Sequence, residues 1–440
     1  MLFLSYARRK GFWLLDKLKG GDIACAYNRI KEIDQLDSSN SIIRNNQEQA
    51  LAILLNRACN ETAFYKKYVN LSFKQFPIIN KNTIRTNQEA FISNKYKINE
   101  LIQMSTSGST GTPFICYQNS EKKKQVNAEI IYYSEKVGYK LGENLSYIRT
   151  IVKQNKKSSL KQFFQNQTLI NCMSLDDEGI NSMIQALVKK SQHERLTLLG
   201  YGSTYTGIKD YALRNGIKEF KGIRVNGIIS GSDMLFDDTR ASIMQLFGNV
   251  PMVSRYSNEE NGVIGQDEGI NNVFSINEAN YIVEICDDNG NSVEDGKLGH
   301  IVVTDLYNYS MPMIRYDTGD IGAIKAFDIN GRTKRCICDF SGRSVDVIFN
   351  TKGSILSPHV ITNYMWSYPD INQYQIIQKG THDYTVKLNV PQSFTKDNEL
   401  KKLLLKLLGD DAEITIEKYD EIPVIASGKR RYIVNEMNQR

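Results

Sequence analysis

The chain has 440 residues, 41% hydrophobic and 24% charged, a globular balance too long for one ordinary core, so two or more domains are expected. Lys and Arg number 55 against 49 Asp and Glu, a net +6; that favours small anionic ligands slightly and lacks the concentrated basic face that nucleic acid needs. No apolar run reaches the length of a transmembrane segment, and seven scattered cysteines suit a reducing, cytoplasmic setting better than a disulfide framework.

In chain order, residues 1–95 read mainly as helices. Met1-Leu2-Phe3-Leu4 precedes Arg8, Arg9 and Lys10, the wrong order for a secretory signal. Phe12, Trp13, Leu14 and Leu15 with Lys17 and Lys19 suit a docked helix, or one lying on a membrane surface. Ala50, Leu51, Leu54, Leu55 and Ala58 recur at helical spacing behind a cap region at Ser39 and Asn40. Phe76-Pro77-Ile78-Ile79-Asn80-Lys81 reads as a short connector.

Met104-Ser105-Thr106-Ser107-Gly108-Ser109-Thr110-Gly111-Thr112-Pro113 is the densest run of small hydroxyl and glycine residues in the chain. Glycines allow a tight turn, and successive backbone N–H groups in such a turn form an anion seat. No Gly-Lys-Ser/Thr closes it, so it is not a Walker A loop. A phosphate suits it, and an ordinary Ser/Gly surface turn explains it as well. A helix is expected over 120–137, with Lys122, Lys123 and Lys124 solvated in its first turn.

Between 145 and 256, apolar runs at 145–152, 167–173, 196–201, 223–230 and 250–256 alternate with helical patterns at 177–194, 208–215 and 235–247. That alternation predicts an α/β layer of mostly parallel strands, whose ligands sit beyond the carboxyl ends of the strands. Three such ends carry polar groups: Gly200-Tyr201-Gly202-Ser203, Ser230-Gly231-Ser232-Asp233 and Tyr256-Ser257-Asn258-Glu259-Glu260. From 272 to 350 a β-rich subdomain is expected, with strands at 273–276, 281–286, 300–304, 313–316, 321–326 and 345–349 separated by turns such as Asn330-Gly331. In a strand, Cys336 and Cys338 would share one face; they read as core thiols, since no second Cys/His pair follows at zinc spacing. Beyond 350, helices at 357–366 and 396–408 and strands at 374–378, 384–390 and 412–418 suit a small α+β domain. His193, His300, His359 and His382 show no metal or triad spacing.

Ser105-Thr-Ser-Gly-Ser-Thr-Gly-Thr-Pro113 resembles the phosphate loop of the adenylate-forming superfamily of acyl-CoA synthetases, adenylation domains and luciferases. Further signatures follow in that superfamily's order: Ile229-Ser-Gly-Ser-Asp-Met-Leu235, Tyr256-Ser-Asn-Glu-Glu260, Arg315-Tyr-Asp-Thr-Gly-Asp320, Ser341-Gly-Arg-Ser-Val-Asp346 and Pro423-Val-Ile-Ala-Ser-Gly-Lys429. Ala63-Phe64-Tyr65 followed by Phe76-Pro77-Ile78, and Val303-Thr304-Asp305-Leu306 leading to Pro312, resemble the phenylacetate–CoA ligase-like branch, including its capsular polysaccharide biosynthesis members. The resemblance covers nearly the whole chain. Alone, Asp320 is a turn residue, Glu260 part of an acidic patch and Lys429 part of a basic tail; the shared order of the motifs joins them.

The resemblance implies an α/β fold. A large N-terminal domain over 1–342, with α/β layers and the β-rich subdomain, would bind ATP and a carboxylate. A small mobile α+β domain over 343–440 would carry the adenylation lysine. Thr106, Ser107, Gly108, Ser109, Thr110 and Gly111 would hold the β- and γ-phosphates. Ser232 and Asp233 would lie beside adenine, Tyr256 would stack on it, and Asp320 would accept both ribose hydroxyls. Glu260 would bind Mg²⁺, a hard cation. Arg343 would contact ribose or phosphate, and Lys429 would bridge the substrate carboxylate and the α-phosphate. The acid is expected among Tyr201, Ser203, Tyr205, Ser230, Ser232 and Arg255, a polar lining that disfavours a long fatty acid. CoA is the default acceptor. The alternatives are an acid joined to an amine or sugar without free CoA, with peripheral association to a polysaccharide assembly, and a non-catalytic nucleotide-binding homologue. Ser257, Glu259, Asp233 and Val345 depart from the usual Gly, Thr, Glu and charged hinge residue.

Overall fold

A computed structural model describes residues 2–106, 114–151, 159–172, 175–270, 272–341, 348–353, 355–356, 361, 364–365, 367–368, 370–422 and 433–437. Eleven described strands form one sheet. From one edge, Gln167–Asn171, Asn144–Arg149, Leu196–Tyr201, Val225–Gly231 and Met252–Asn258 run parallel. Parallel neighbours need crossovers, supplied among others by the helices Asp177–Ser191, Gly202–Arg214 and Asp237–Leu246. One sheet face buries Ile148, Leu198, Ile228 and Met252 against Ile180, Leu187, Ile208 and Ile243 of those helices. The other face packs Ile229 and Val253 against Val137, just beyond the helix Ser120–Glu135.

The sheet then changes character. Glu259-Glu260-Asn261 is too short for a crossover, so Gly262–Asp267 must return antiparallel, with Arg255 opposite Gln266. Phe274–Ile276, Arg332–Ser341, Tyr316–Ile329, Gly299–Asp305 and Tyr281–Cys286 continue antiparallel to the far edge. The β-rich stretch is thus the second half of the same sheet. Tyr256, Ile264, Phe274, Val283, Ile301, Ile324 and Ile337 meet in one cluster, which draws that half into a curl.

Several local expectations shift. The strand expected at 313–316 begins only at Tyr316, because Met311, Met313 and Ile314 are buried with Tyr65 and Phe76 in another cluster. Arg332–Ser341, passed over in the sequence, pairs with Tyr316–Ile329 across Asn330-Gly331, whose φ values of +54° and +77° suit a two-residue hairpin. Cys336 and Cys338 pack with Val273, Ala323 and Ile329. Near the C-terminus, Glu413–Lys418, Asp383–Asn389, Gln373–Gln378 and Ile433–Asn435 form a separate sheet. Its own core unites Tyr374, Ile376, Val386 and Leu388 with Leu400, Leu404 and Leu408 of the helix Asp397–Leu408. The expected boundary at 342–343 and Val345 lie outside the described residues, as does most of 357–366.

Lys122 is the clearest correction. It is not solvated: its side chain is fully buried, with Nζ 2.7 Å from Asp305 and 3.1 Å from the Tyr281 hydroxyl. Asn119 caps the helix by accepting from the Lys122 N–H, and that start aims the side chain inward. Helical periodicity could not show this, because the partner charge lies on a distant strand. Lys122→Ala should destabilise the protein by about 3–5 kcal/mol in urea titration, since it strands the Asp305 carboxylate. Lys122→Met combined with Asp305→Leu should recover most of that loss.

Candidate functional site

Two sequence motifs interlock where the parallel strands end. Tyr256 donates its hydroxyl to Asp320 Oδ2 at 2.8 Å and lies 3.2 Å from Thr318 Oγ1. Reciprocally, Tyr316 donates to Glu260 Oε1 at 3.0 Å. Each motif contributes one phenol and one carboxylate to the other. The Tyr256 ring is held edge-on by Phe340, 4.9 Å between centroids. Gly319, at φ +84°, makes the bend that presents the half-buried Asp320.

Glu260 is buried and also pairs with Lys81 Nζ at 2.6 Å. Lys81 opens the short helix Lys81–Thr86, capped by the Asn80 side chain, and its ammonium lies 5.3 Å from the Phe114 ring centroid. Phe114 opposes Thr106 in the ladder that brackets 107–113. A lysine therefore stands between Glu260 and Phe114, at the end of that ladder. Sequence reasoning missed it, having passed 76–81 as a connector; an Asn-capped Lys is common, and only the tertiary contact marks this one. Tyr316 was likewise quoted within a motif and given no role. The donor set suits Mg²⁺ carried by a polyphosphate: that ion takes one or two carboxylates and completes its shell with phosphate and water. Lys81 Nζ and the Tyr316 hydroxyl both contact Glu260 Oε1.

Asp233 has a structural role. Its carboxylate accepts the backbone N–H of Gly202, and that of Ser203 at 3.2 Å, so it caps the helix Gly202–Arg214. This cap, 31 positions away in sequence, starts the helix at Gly202 rather than at 208. Ser232 beside it is exposed, with φ +73°.

The expected acid-lining residues divide between the two sheet faces. Tyr205 is wholly buried with the helix-facing core, its hydroxyl 3.3 Å from the Ile229 carbonyl. Ser203 and Ser230 are buried, and their hydroxyls meet no partner among the described residues. Tyr201, half-buried, ends its strand and packs against the same cluster. Arg255 turns to the other face: its Nε and Nη2 each donate to Gln266 Oε1 at 3.0 Å, and Nη2 donates to Ser134 Oγ at 3.2 Å. The Thr106 backbone ends the strand Ile102–Thr106. Its side chain, together with Ser107, Gly108, Ser109, Thr110, Gly111, Arg343 and Lys429, lies outside the described residues.

The fold is that of the adenylate-forming ligases, as the sequence resemblance led us to expect. The crystal structure of 2-hydroxyisobutyryl-CoA ligase with 2-HIB-AMP and CoA in the thioesterification state matches with a TM-score of 0.59 over 92% of this chain and 93% of that one, at 16% identity. Its postadenylation state with R3-HIB-AMP matches with a TM-score of 0.57 over 92% and 93%, at 14% identity. More particularly, residues 348–436 match the family model of the CapK C-terminal domain. Protein CapK of Staphylococcus aureus is 28% identical over 384 residues, covering 84% of this chain and 82% of that protein. Among the described residues, no helix is long and apolar enough to cross a membrane.

Asp233→Ala should cost about 1 kcal/mol of stability in the ligand-free protein, the usual worth of a helix cap, measured by chemical denaturation.

Proposed function

We propose that the protein activates a carboxylic acid with ATP, forming acyl-AMP and pyrophosphate, and passes the acyl group to an acceptor. The observation that carries this reading is the reciprocal clasp of Tyr256 on Asp320 and Tyr316 on Glu260. It fixes Asp320 and Glu260, the two carboxylates that this reading requires. In the first step a carboxylate oxygen bonds to the α-phosphorus, and the bond from that phosphorus to the pyrophosphate oxygen breaks. Negative charge grows on the phosphoryl oxygens, so positioned donors and cations do most of the catalysis. Asp320, its rotamer held by Tyr256, accepts the ribose hydroxyls. Glu260 would hold Mg²⁺, which would supply charge neutralisation to the phosphates. Lys81, beside Glu260, would meet the same phosphates. Residues 106–111 cradle the β- and γ-phosphates, Arg343 contacts ribose or phosphate, and Lys429 neutralises charge that appears only in the transition state. Residues 343–440 form the mobile domain that brings Lys429 in and then withdraws it.

CoA is the default acceptor. A second reading, an acid joined to an amine or sugar of a surface polysaccharide without free CoA, is favoured by the likeness to Protein CapK along most of the chain. Carboxylate-dependent ATP–pyrophosphate exchange tests the first step, and product masses with and without CoA identify the acceptor. Lys429→Ala should lower exchange by about 10²–10³-fold, the scale of a lost transition-state contact, yet spare transfer from presynthesised acyl-AMP. Asp320→Ala should lower it comparably. Tyr256→Phe, which loses only the hydroxyl that orients Asp320, should cost roughly tenfold. Absence of exchange with every acid, in folded protein with Mg²⁺, would establish the non-catalytic alternative.

A further inference from the structure

Five lysines and arginines are buried among the described residues: Lys122, Arg240, Arg255, Arg315 and Lys334. Four of them pair with a carboxylate, namely Asp305, Asp267, Glu284 and Asp34 respectively. Arg255 alone has no carboxylate within ion-pair distance among the described residues. Its partners are neutral, a side-chain amide and a hydroxyl. The Gln266 amide is itself fixed, donating to the Tyr133 carbonyl at 2.9 Å, so its oxygen holds the guanidinium in one orientation. Three donor contacts from Nε and Nη2 use that edge, which leaves the two N–H groups of Nη1 without a hydrogen bond among the described residues. Burial pushes the group down to about 10, with Tyr147, Tyr133 and Glu129 acting the other way through space. Glu129, the carboxylate of that set, is held elsewhere by the Val263 N–H, Asn280 and Tyr281. A buried cation with only neutral partners is costly, and an incoming anion would relieve that cost.

There is room for one. Gly231 lies directly opposite Arg255 in the parallel ladder, so a side chain there would share its face. Among the described residues, an added Cβ at Gly231 would meet no atom closer than the Arg255 carbonyl, 3.9 Å away. This gap sits at the carboxyl ends of adjacent parallel strands, where open α/β sheets bind ligands. One residue further along the Arg255 strand is Tyr256, whose hydroxyl holds Asp320.

We propose that the gap over Gly231 seats the far end of the activated acid and that Arg255 reads an oxyanion there. The substrate is then an acid bearing a second anionic group, a carboxylate or a phosphate. This rests on the adenylation reading and narrows it.

Matched pairs test it: glutarate against valerate, L-glutamate against L-glutamine, and 3-phosphoglycerate against glycerate. Each is measured by ATP–pyrophosphate exchange and by calorimetric binding to the nucleotide-free protein. The wild type should prefer an anionic member, the carboxylate and phosphate pairs deciding which oxyanion. Arg255→Gln should lower that acid's kcat/KM by roughly 30- to 100-fold, chiefly through KM, while its neutral partner is spared. Arg255→Lys should keep part of the preference. Gly231→Val, which meets no close neighbour among the described residues, should keep its melting temperature and nucleotide binding and lose the acid. Equal use of both members of every pair overturns the proposal and leaves adenylation standing. So does a uniform loss in Arg255→Gln for charged and neutral acids alike, which marks a structural role. Exchange with none of the acids, but calorimetric binding of an anionic one that Arg255→Gln abolishes, supports the anion seat while the adenylation reading fails. Neither exchange nor binding overturns both.

Discussion

Lys122 and Asp305 bury opposite charges with no exposure to solvent, 2.7 Å apart. At that depth neither charge is tolerable alone. The pair fastens the helix Ser120–Glu135 to the strand Gly299–Asp305, and with them the two halves of the sheet. Glu129, two turns along that helix, accepts from the Val263 N–H, Asn280 and Tyr281. Its Oε2 comes so near the backbone at Gly262 that a Cβ there would lie 2.4 Å away, and the φ of +123° is one that side chains rarely adopt. Gly262 follows Glu260 by two positions. The helix that the ion pair anchors therefore shapes the turn that presents the candidate metal ligand, and further along it delivers Ser134 to Arg255.

A second fastening brings in the N-terminal segment. Arg315, although part of a motif, faces inward: it pairs with Glu284 at 3.1 Å and donates to the carbonyls of Lys74, Phe76 and Gly290, each at 3.0 Å. Asp317 N–H donates to the Ile79 carbonyl at 2.8 Å, and Ile79 N–H to the Arg315 carbonyl at 3.0 Å. These bonds lay 76–81 beside the strand that carries Tyr316 and Asp320, and so Lys81 reaches Glu260. One short motif thus works in both directions, with Tyr316 and Asp320 toward the site and Arg315 toward the scaffold.

The sheet explains why the candidate site lies where it does. Parallel strands leave their carboxyl ends open, and the antiparallel half that begins after Met252–Asn258 carries the curl. Tyr256 and Asp320, four strands apart in pairing order, meet because of that curl.

Much of this was legible in the chain itself. The 3.6-residue and unbroken apolar periods located most helices and the parallel strands, since those patterns reflect local burial. Asn330-Gly331 announced its hairpin, although the strand beyond it went unread. The order of the motifs pointed to the adenylate-forming fold. What the sequence could not contain is the identity of partners brought from far away. Lys122 looked solvated because Asp305 is on another strand. The helix at Gly202 started early because its cap is Asp233. Lys81 looked like a connector residue until Glu260 lay beside it, and Arg255 looked like one polar lining residue among several until the other buried cations proved to be paired. Composition, periodicity and motif order are properties of neighbours along the chain, and they determined the class of fold and the candidate chemistry. Which charges face one another, and which finds only neutral partners among the described residues, depends on contacts between separate segments of the chain, and only the tertiary structure decided those.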